Sequence, residues 1–179
     1  QWHNKGMSQV LEIGYLLAAT TQIFRSGMAA GLSAAQIAPK TSMCLALPAN
    51  LFDGIAKCRA VRRCWAGLIT ALGLDADSYR LELQSMPSLR MFSLVDVDVN
   101  ILRTTTALLG GAIGGADIMT AHAHDELSGA SPMGRRLARM QQIMMIEEAG
   151  LGRSLDAAGG AAFIEARSDA MAQSAWATF

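Results

Sequence analysis

Three short apolar runs recur between long helical patterns, and this alternation limits the chain to very few architectures. SMCLALP (42–48) is short and uncharged, as a buried strand would be. YRLELQSM (79–86) alternates Leu81 and Leu83 with charge, which predicts a strand with one wetter face. ADIMTA (116–121) is also strand-like. Ser8 is placed to cap a helix over the residues up to Gly31, with Leu11, Tyr15, Leu16, Ile23 and Met28 at helical spacing. A helical turn over 33–37 and the breaker Pro39 follow. Asn50 opens a second helix ending near Gly73, on which Lys57, Arg59, Arg62 and Arg63 do not share one stripe. Asp96 or Asp98 is placed to satisfy the free amides of a third, which carries Ile101, Leu102, Leu108 and Leu109. A fourth covers 133–149 and stops at Gly150 and Gly152, and DAAGGAAFIEA (156–166) reads as a loop and the start of another.

Such an order predicts an α/β fold with parallel strands joined by right-handed helical crossovers. Three or four (β/α) repeats make about half of a TIM-type (β/α)8 barrel of about 250 residues; a small doubly wound sheet is the alternative. Residues 1–179 are expected to form a single partial barrel domain whose open edges need the missing half or a partner chain. The chain opens on Gln1 within a segment that already looks internal, so a fragment or processed piece of a longer chain is expected.

Composition narrows the partners. Fifteen basic residues balance fifteen acidic ones, so no net field draws the chain to nucleic acid or anionic lipid. A small molecule or another protein is the expected partner. No uncharged run approaches the roughly 20 residues that cross a bilayer, and no membrane association or signal peptide is expected. Cys44, Cys58 and Cys64 are odd in number and form no CxxC, which fits a reducing cytoplasmic setting without a disulfide framework or zinc site.

Chemistry is most tempting at His122, His124 and Asp125, which follow a strand. An H-x-H pair in an extended segment points both imidazoles to one side, as a metal-dependent hydrolase would need. The plain alternative is a solvated loop capped by Asp125. The pairs Gly110-Gly111 and Gly114-Gly115 lie after a helix and before a strand, the reverse of a phosphate cradle, so close helix packing is expected of them. Arg135, Arg136 and Arg139 with Glu147 and Glu148 suggest surface ion pairs. No G-x-S-x-G or S-x-x-K is present, and no nucleophile stands out.

Several segments resemble the methylmalonyl-CoA mutase family in order and spacing. They are IAKCRAVRRCWAGLI (55–69), NILRTTTALLGGAIGGAD (100–117), HDE (124–126), RLARMQQIMMIEEAG (136–150) and the D-x-x-GG at 156–160. The resemblance implies the later part of a (β/α)8 barrel that threads coenzyme A through its middle. It also implies an acyl-CoA isomerase working by radical carbon-skeleton rearrangement, with adenosylcobalamin as cofactor. Catalytic chains of that family carry H-x-Q-E-A-G before the first helix; here Gln1 stands at the histidine, His3 at the glutamine and Asn4 at the glutamate. Their H-C-Q-T-S-G-W strand end is replaced by residues 84–90, with Met86 at the glutamine, and no D-x-H-x-x-G is present to supply the lower cobalamin ligand.

These losses resemble the small, non-catalytic chain of two-chain mutases, whose SLRMFS-like stretch matches residues 88–93. The resemblance therefore implies no catalytic residue here and a catalytic mutase subunit, or self-association, as partner. Cobalamin would belong to the assembled complex rather than to this chain alone. His3 and Asn4 take the cofactor-facing positions; Lys40, Ser42 and His122 take positions facing the acyl-CoA substrate, while Ile118 replaces the family's CoA-contacting serine. A non-catalytic acyl-CoA-binding or interaction module is a further alternative.

Overall fold

A computed structural model describes residues 2–179. Three parallel strands, β1 (Ser42–Leu47), β2 (Glu82–Pro87) and β3 (Ile118–Met119), lie side by side in chain order. Ser42 faces Glu82 and Leu47 faces Pro87 across the first pair, and Gln84 faces Ile118 across the second. The helices are α1 (Gln9–Ala29), α2 (Ala34–Ile37), α3 (Leu51–Ala71), α4 (Val99–Ile113), α5 (Pro132–Glu147) and α6 (Ala162–Thr178). The second strand starts three residues later than its alternation suggests, and the third keeps only two residues of the expected six. The coarse expectation of an α/β fold with parallel strands joined by helices therefore holds.

Local chemistry sets the helix ends. Ser8 Oγ accepts from Leu11 N, Asn50 Oδ1 from Asp53 N and Ser131 Oγ from Gly134 N, each satisfying an otherwise orphaned first-turn amide. Ser33 and Gln36 form a reciprocal capping box on the short α2. The third long helix departs from expectation, because Asp98 sits at its cap with no side-chain capping bond among the described residues. Asn100 organises that entry instead. Its amide accepts from Ser93 N and donates to Ser93 O and His124 O, which ties the loops after β2 and β3 together.

One face of the sheet, Met43, Leu45, Leu47, Leu83 and Ser85, is buried under helices. The glycines of α4 permit this: a Cβ on Gly111 would lie 2.7 Å from Ser85 Oγ, and Gly110 meets Gly54 of α3 backbone to backbone. The opposite face carries the exposed Ser42 and Glu82 with the half-buried Cys44, Gln84 and Met86. On α1 the inward residues are Glu12, Ile13, Leu17, Thr20 and Phe24. Of the apolar residues that mark its helical spacing, Leu11, Tyr15, Ile23 and Met28 are each at least 41% exposed, while Leu16 packs partly buried against the core. The reason is α6, which packs along α1 and α3 and selects the other of two apolar faces. Arg135 reaches back to Ala130 O, and none of the expected surface pairs between the arginines and glutamates of α5 forms among the described residues.

No helix among the described residues is long and apolar enough to cross a membrane.

Candidate functional site

Functional groups collect where the strands end. A 3-10 turn, His3–Lys5, lies across the carboxyl ends of β1 and β2. His3 Nδ1 is 2.8 Å from Ser88 Oγ, and Ser88 Oγ donates to Asn4 Oδ1 at 2.8 Å. Asn4 Oδ1 also accepts from Leu89 N at 3.0 Å. Ser88 N in turn donates to Leu47 O, so the first residue beyond β2 is bound to the end of β1. Arg90 donates to Met7 O at 3.0 Å and holds the same turn from outside.

Beneath this turn lies an ion pair closed to solvent on both sides. Lys57 Nζ of α3 is 2.5 Å from Glu12 Oε2 of α1, with both side chains 0% exposed, and it donates to Ala46 O of β1 at 2.7 Å. The other carboxylate oxygen, Glu12 Oε1, accepts from His3 N at 2.9 Å. One pair thus joins two helices, a strand end and the segment bearing His3 and Asn4. Burial pulls the Lys57 pKa below its ordinary value, opposed by the Glu12 carboxylate. Burial also lowers His3 from 6.5 to about 4, with the Lys57 ammonium and Arg90 adding to the effect and Glu12 opposing it. His3 is therefore neutral at physiological pH.

The segment after β3 completes the mouth. His122 stands edge-on to Phe92 at 6.3 Å between ring centres, and its Nδ1 is 3.9 Å from Glu126. Burial lowers its pKa, with Glu126 opposing. His124 faces away to Asp98 at 3.5 Å, and Asp125 accepts from Ser131 N at 2.9 Å. The three side chains expected to converge on a metal are thus engaged with three different partners. Among the described residues no three His, Cys, Asp or Glu side chains form a group able to hold a metal ion. The segment is an irregular loop with a turn at His124, and the three-ligand group that the hydrolase alternative needs is not found in it.

Lys40 and Ser42 are exposed at the amino end of β1. Five residue steps along the strand put them about 16 Å from its carboxyl end. The site residues expected from sequence therefore divide between the two ends of the sheet: His3, Asn4 and His122 at the mouth, Lys40 and Ser42 opposite. Gln1 lies outside the described residues.

Glu12 and Lys57 were not foreseen as part of this site. The readable signal was one carboxylate in LEIGYLLAATT and one ammonium in IAKC, each amid apolar neighbours. The other charges of the α3 motif are cross-braces. Arg59 binds Asp156 at 2.9 Å and also Glu165, while Arg62 binds Asp117 at 2.6 Å and donates to Leu81 O at 2.7 Å. Burial disfavours the charged form of Asp117, but the Leu83 N–H and the Arg62 guanidinium outweigh it and hold its pKa below the usual value. Trp65 Nε1 donates to Tyr79 O at 2.7 Å. Three of the five family-like segments are thus braced together: 55–69 to 100–117 through Arg62 and Asp117, and to the D-x-x-GG loop through Arg59 and Asp156.

Comparison with known proteins agrees with this pattern. The family model described as methylmalonyl-CoA mutase matches residues 1–179. The methylmalonyl-CoA mutase small subunit of Streptomyces virginiae is 35% identical over 179 residues, covering 99% of this chain and 29% of that protein. The probable small subunit of Mycobacterium bovis is 34% identical over 184 residues, covering 99% and 30%. The large subunit of Streptomyces virginiae is 32% identical over 173 residues, covering 96% and 24%. The chain thus spans less than a third of the length of these relatives, and nearly all of it takes part in the match. With a family model matching residues 1–179 and relatives up to 35% identical over nearly all of its length, the chain belongs to the methylmalonyl-CoA mutase family.

Proposed function

We propose that this chain is the later part of a (β/α)8 barrel in the small, non-catalytic subunit of a two-chain acyl-CoA mutase, where it supports a catalytic partner. The observation that carries the reading is the mouth. At the strand end where a catalytic chain would need hydrogen-bond donors for the reacting acyl group, Met86 has none to give, and His3 and Asn4 are bound to Ser88 and Leu89. Strand order supports the barrel. A doubly wound sheet reverses its order and covers both faces, whereas these strands run β1-β2-β3 with α3 and α4 on one face. Residues 1–179 then form one partial barrel domain, completed by further β/α units of a longer chain.

An acyl-CoA lying along the bare face would meet Lys40 and Ser42 at one end and His122 at the other. The exposed Lys40 ammonium suits a phosphate or carboxylate of the CoA ester. Adenosylcobalamin is the cofactor of the assembled complex and, when bound, supplies the radical chemistry of the rearrangement. The mouth fits such a group through the His3 imidazole and Asn4 amide as hydrogen-bonding partners, with no lower ligand in this chain. What these residues contribute is a fixed, neutral rim and the exclusion of water by the Phe92 and His122 pair. Three free thiols suit a reducing cytoplasm.

Coexpression tests the reading. The full-length protein should copurify with a large-subunit-type chain, and methylmalonyl-CoA isomerisation with added adenosylcobalamin should require that chain. Turnover by the full-length protein alone would overturn it.

A further inference from the structure

Along α5, Arg136, Met140, Met144 and Glu148 follow one another at intervals of four, which sets them on one ridge of the helix and of the turn that ends it. Met140 is 39% and Met144 48% exposed, and Arg136 and Glu148 are exposed at either end. The charges run against the helix dipole, with arginine near the positive amino end and glutamate at the negative carboxyl end. They cannot relieve this by pairing along their own helix, because twelve residue steps separate them by about 18 Å. Among the described residues neither has another ion-pair partner. The ridge thus carries two exposed thioethers between opposite charges that its own chain leaves unneutralised.

Beside the ridge lies a groove of about 400 Å³ between α5 and α4, lined by Ile101, Thr105, Leu137 and Met145 as well as the two methionines. Its walls are fixed to each other. Gln141 Nε2 of α5 donates to Ile101 O at 2.9 Å and to Thr105 Oγ1 at 2.6 Å on α4. Ridge and groove are therefore presented together on a preformed surface.

We propose that this surface docks a second copy of the chain, as a two-fold pair with the α5 helices antiparallel. The order Arg, Met, Met, Glu is its own complement when reversed. An axis midway between Met140 and Met144 sets Arg136 of each copy against Glu148 of the other and Met140 against Met144, with the ridge of one copy beside the groove of the next. Each charge then meets its opposite, and each unfavourable helix end meets the compensating end of its partner. Methionine and arginine are also residue types that interfaces favour. A face of 16 residues, about 24 Å long and two helices or about 20 Å wide, covers roughly 500 Å² on each copy. The total of about 1,000 Å² lies at the lower end for specific association, so a reversible pair is expected. It uses none of the residues of the mouth and goes beyond the pairing with a catalytic chain.

Sedimentation equilibrium of the full-length protein without a catalytic chain, at micromolar concentration, should give twice the chain mass. Arg136→Glu and Glu148→Arg each set like charges together twice and should raise the dimer dissociation constant about tenfold or more. The double swap restores opposite charges across the axis and should restore the dimer. Arg139→Glu makes the same charge change one residue off the ridge and should leave the mass at twice the chain. Should a swap lower the melting temperature, Met144→Ser tests the same contact without a charge and should also weaken the dimer. A wild-type protein at one chain mass, a dimer indifferent to the single swaps, or a double swap that stays dissociated would each overturn the proposal. So would single swaps that break a complex with a large-subunit-type chain while the wild type alone is monomeric.

Discussion

Replacing Lys57 by methionine isolates the buried ion pair. Methionine fills much of the same volume, so the main change is loss of the ammonium. Glu12 would then remain a fully buried carboxylate with the His3 N–H as its remaining donor among the described residues, and Ala46 O would lose its side-chain donor. Breaking a buried pair from one side costs about 3–5 kcal/mol, because the surviving charge is stranded. Removing both charges behaves differently. In Glu12→Leu with Lys57→Met the desolvation penalty disappears, while two backbone groups, His3 N and Ala46 O, lose partners at about 1 kcal/mol each. The double variant should therefore lie within about 2 kcal/mol of wild type, although each single variant costs more. Urea denaturation of the full-length protein, with midpoints compared at unchanged slope, reads these differences directly. A Lys57→Met cost near 1 kcal/mol, or a double variant costing the sum of the singles, would show that the pair does not hold the two helices and the mouth together.

The His3 network also predicts a pH response. Its pKa falls from 6.5 unfolded to about 4 folded, so between those values the unfolded chain binds more protons. The stability it contributes is fully present above pH 6.5 and is lost as pH falls toward 4, by at most about 3 kcal/mol, and His3→Asn should flatten that limb in denaturation measured from pH 4 to 7. Gly111→Ala should destabilise by about 1–3 kcal/mol, since its methyl meets Ser85 Oγ and Leu47. Ser85 Oγ is buried with no hydrogen-bond partner among the described residues, so Ser85→Ala should stabilise by about 1 kcal/mol and soften the Gly111→Ala penalty, a coupling that a double-mutant cycle would expose. His122→Ala and His124→Ala should leave the zinc and manganese content of purified protein unchanged in elemental analysis; stoichiometric metal lost with either would revive the hydrolase alternative.

The alternation of apolar runs and helical patterns was enough to give parallel strands and their connections, because crossover geometry leaves few choices. It could not decide which face of α1 turns inward, since Leu11 and Tyr15 repeat at helical spacing as Ile13 and Leu17 do. That choice is made by α6, more than 130 residues away in sequence. His122, His124 and Asp125 show the opposite failure. Their spacing suits a metal, yet spacing says nothing about Asp98 and Ser131, which take two of the three side chains. Glu12 and Lys57 were visible as charges in apolar surroundings, but only the fold makes them neighbours across 45 positions.

The cross-braces of α3 have a consequence for how this sequence can drift over time. Arg62 leans on Asp117, and Arg59 on Asp156, residues 55 and 97 positions away. A lineage that loses Asp117 leaves the Arg62 charge without its carboxylate, and one that loses Asp156 leaves Arg59 with Glu165 alone, so each arginine should then be freer to change. Changes at 59 with 156, and at 62 with 117, should therefore appear as correlated pairs among descendants. The same holds for 12 with 57, where one charge alone is costlier than none. Paired substitutions would thus keep a record of this packing in lineages whose surface positions change freely.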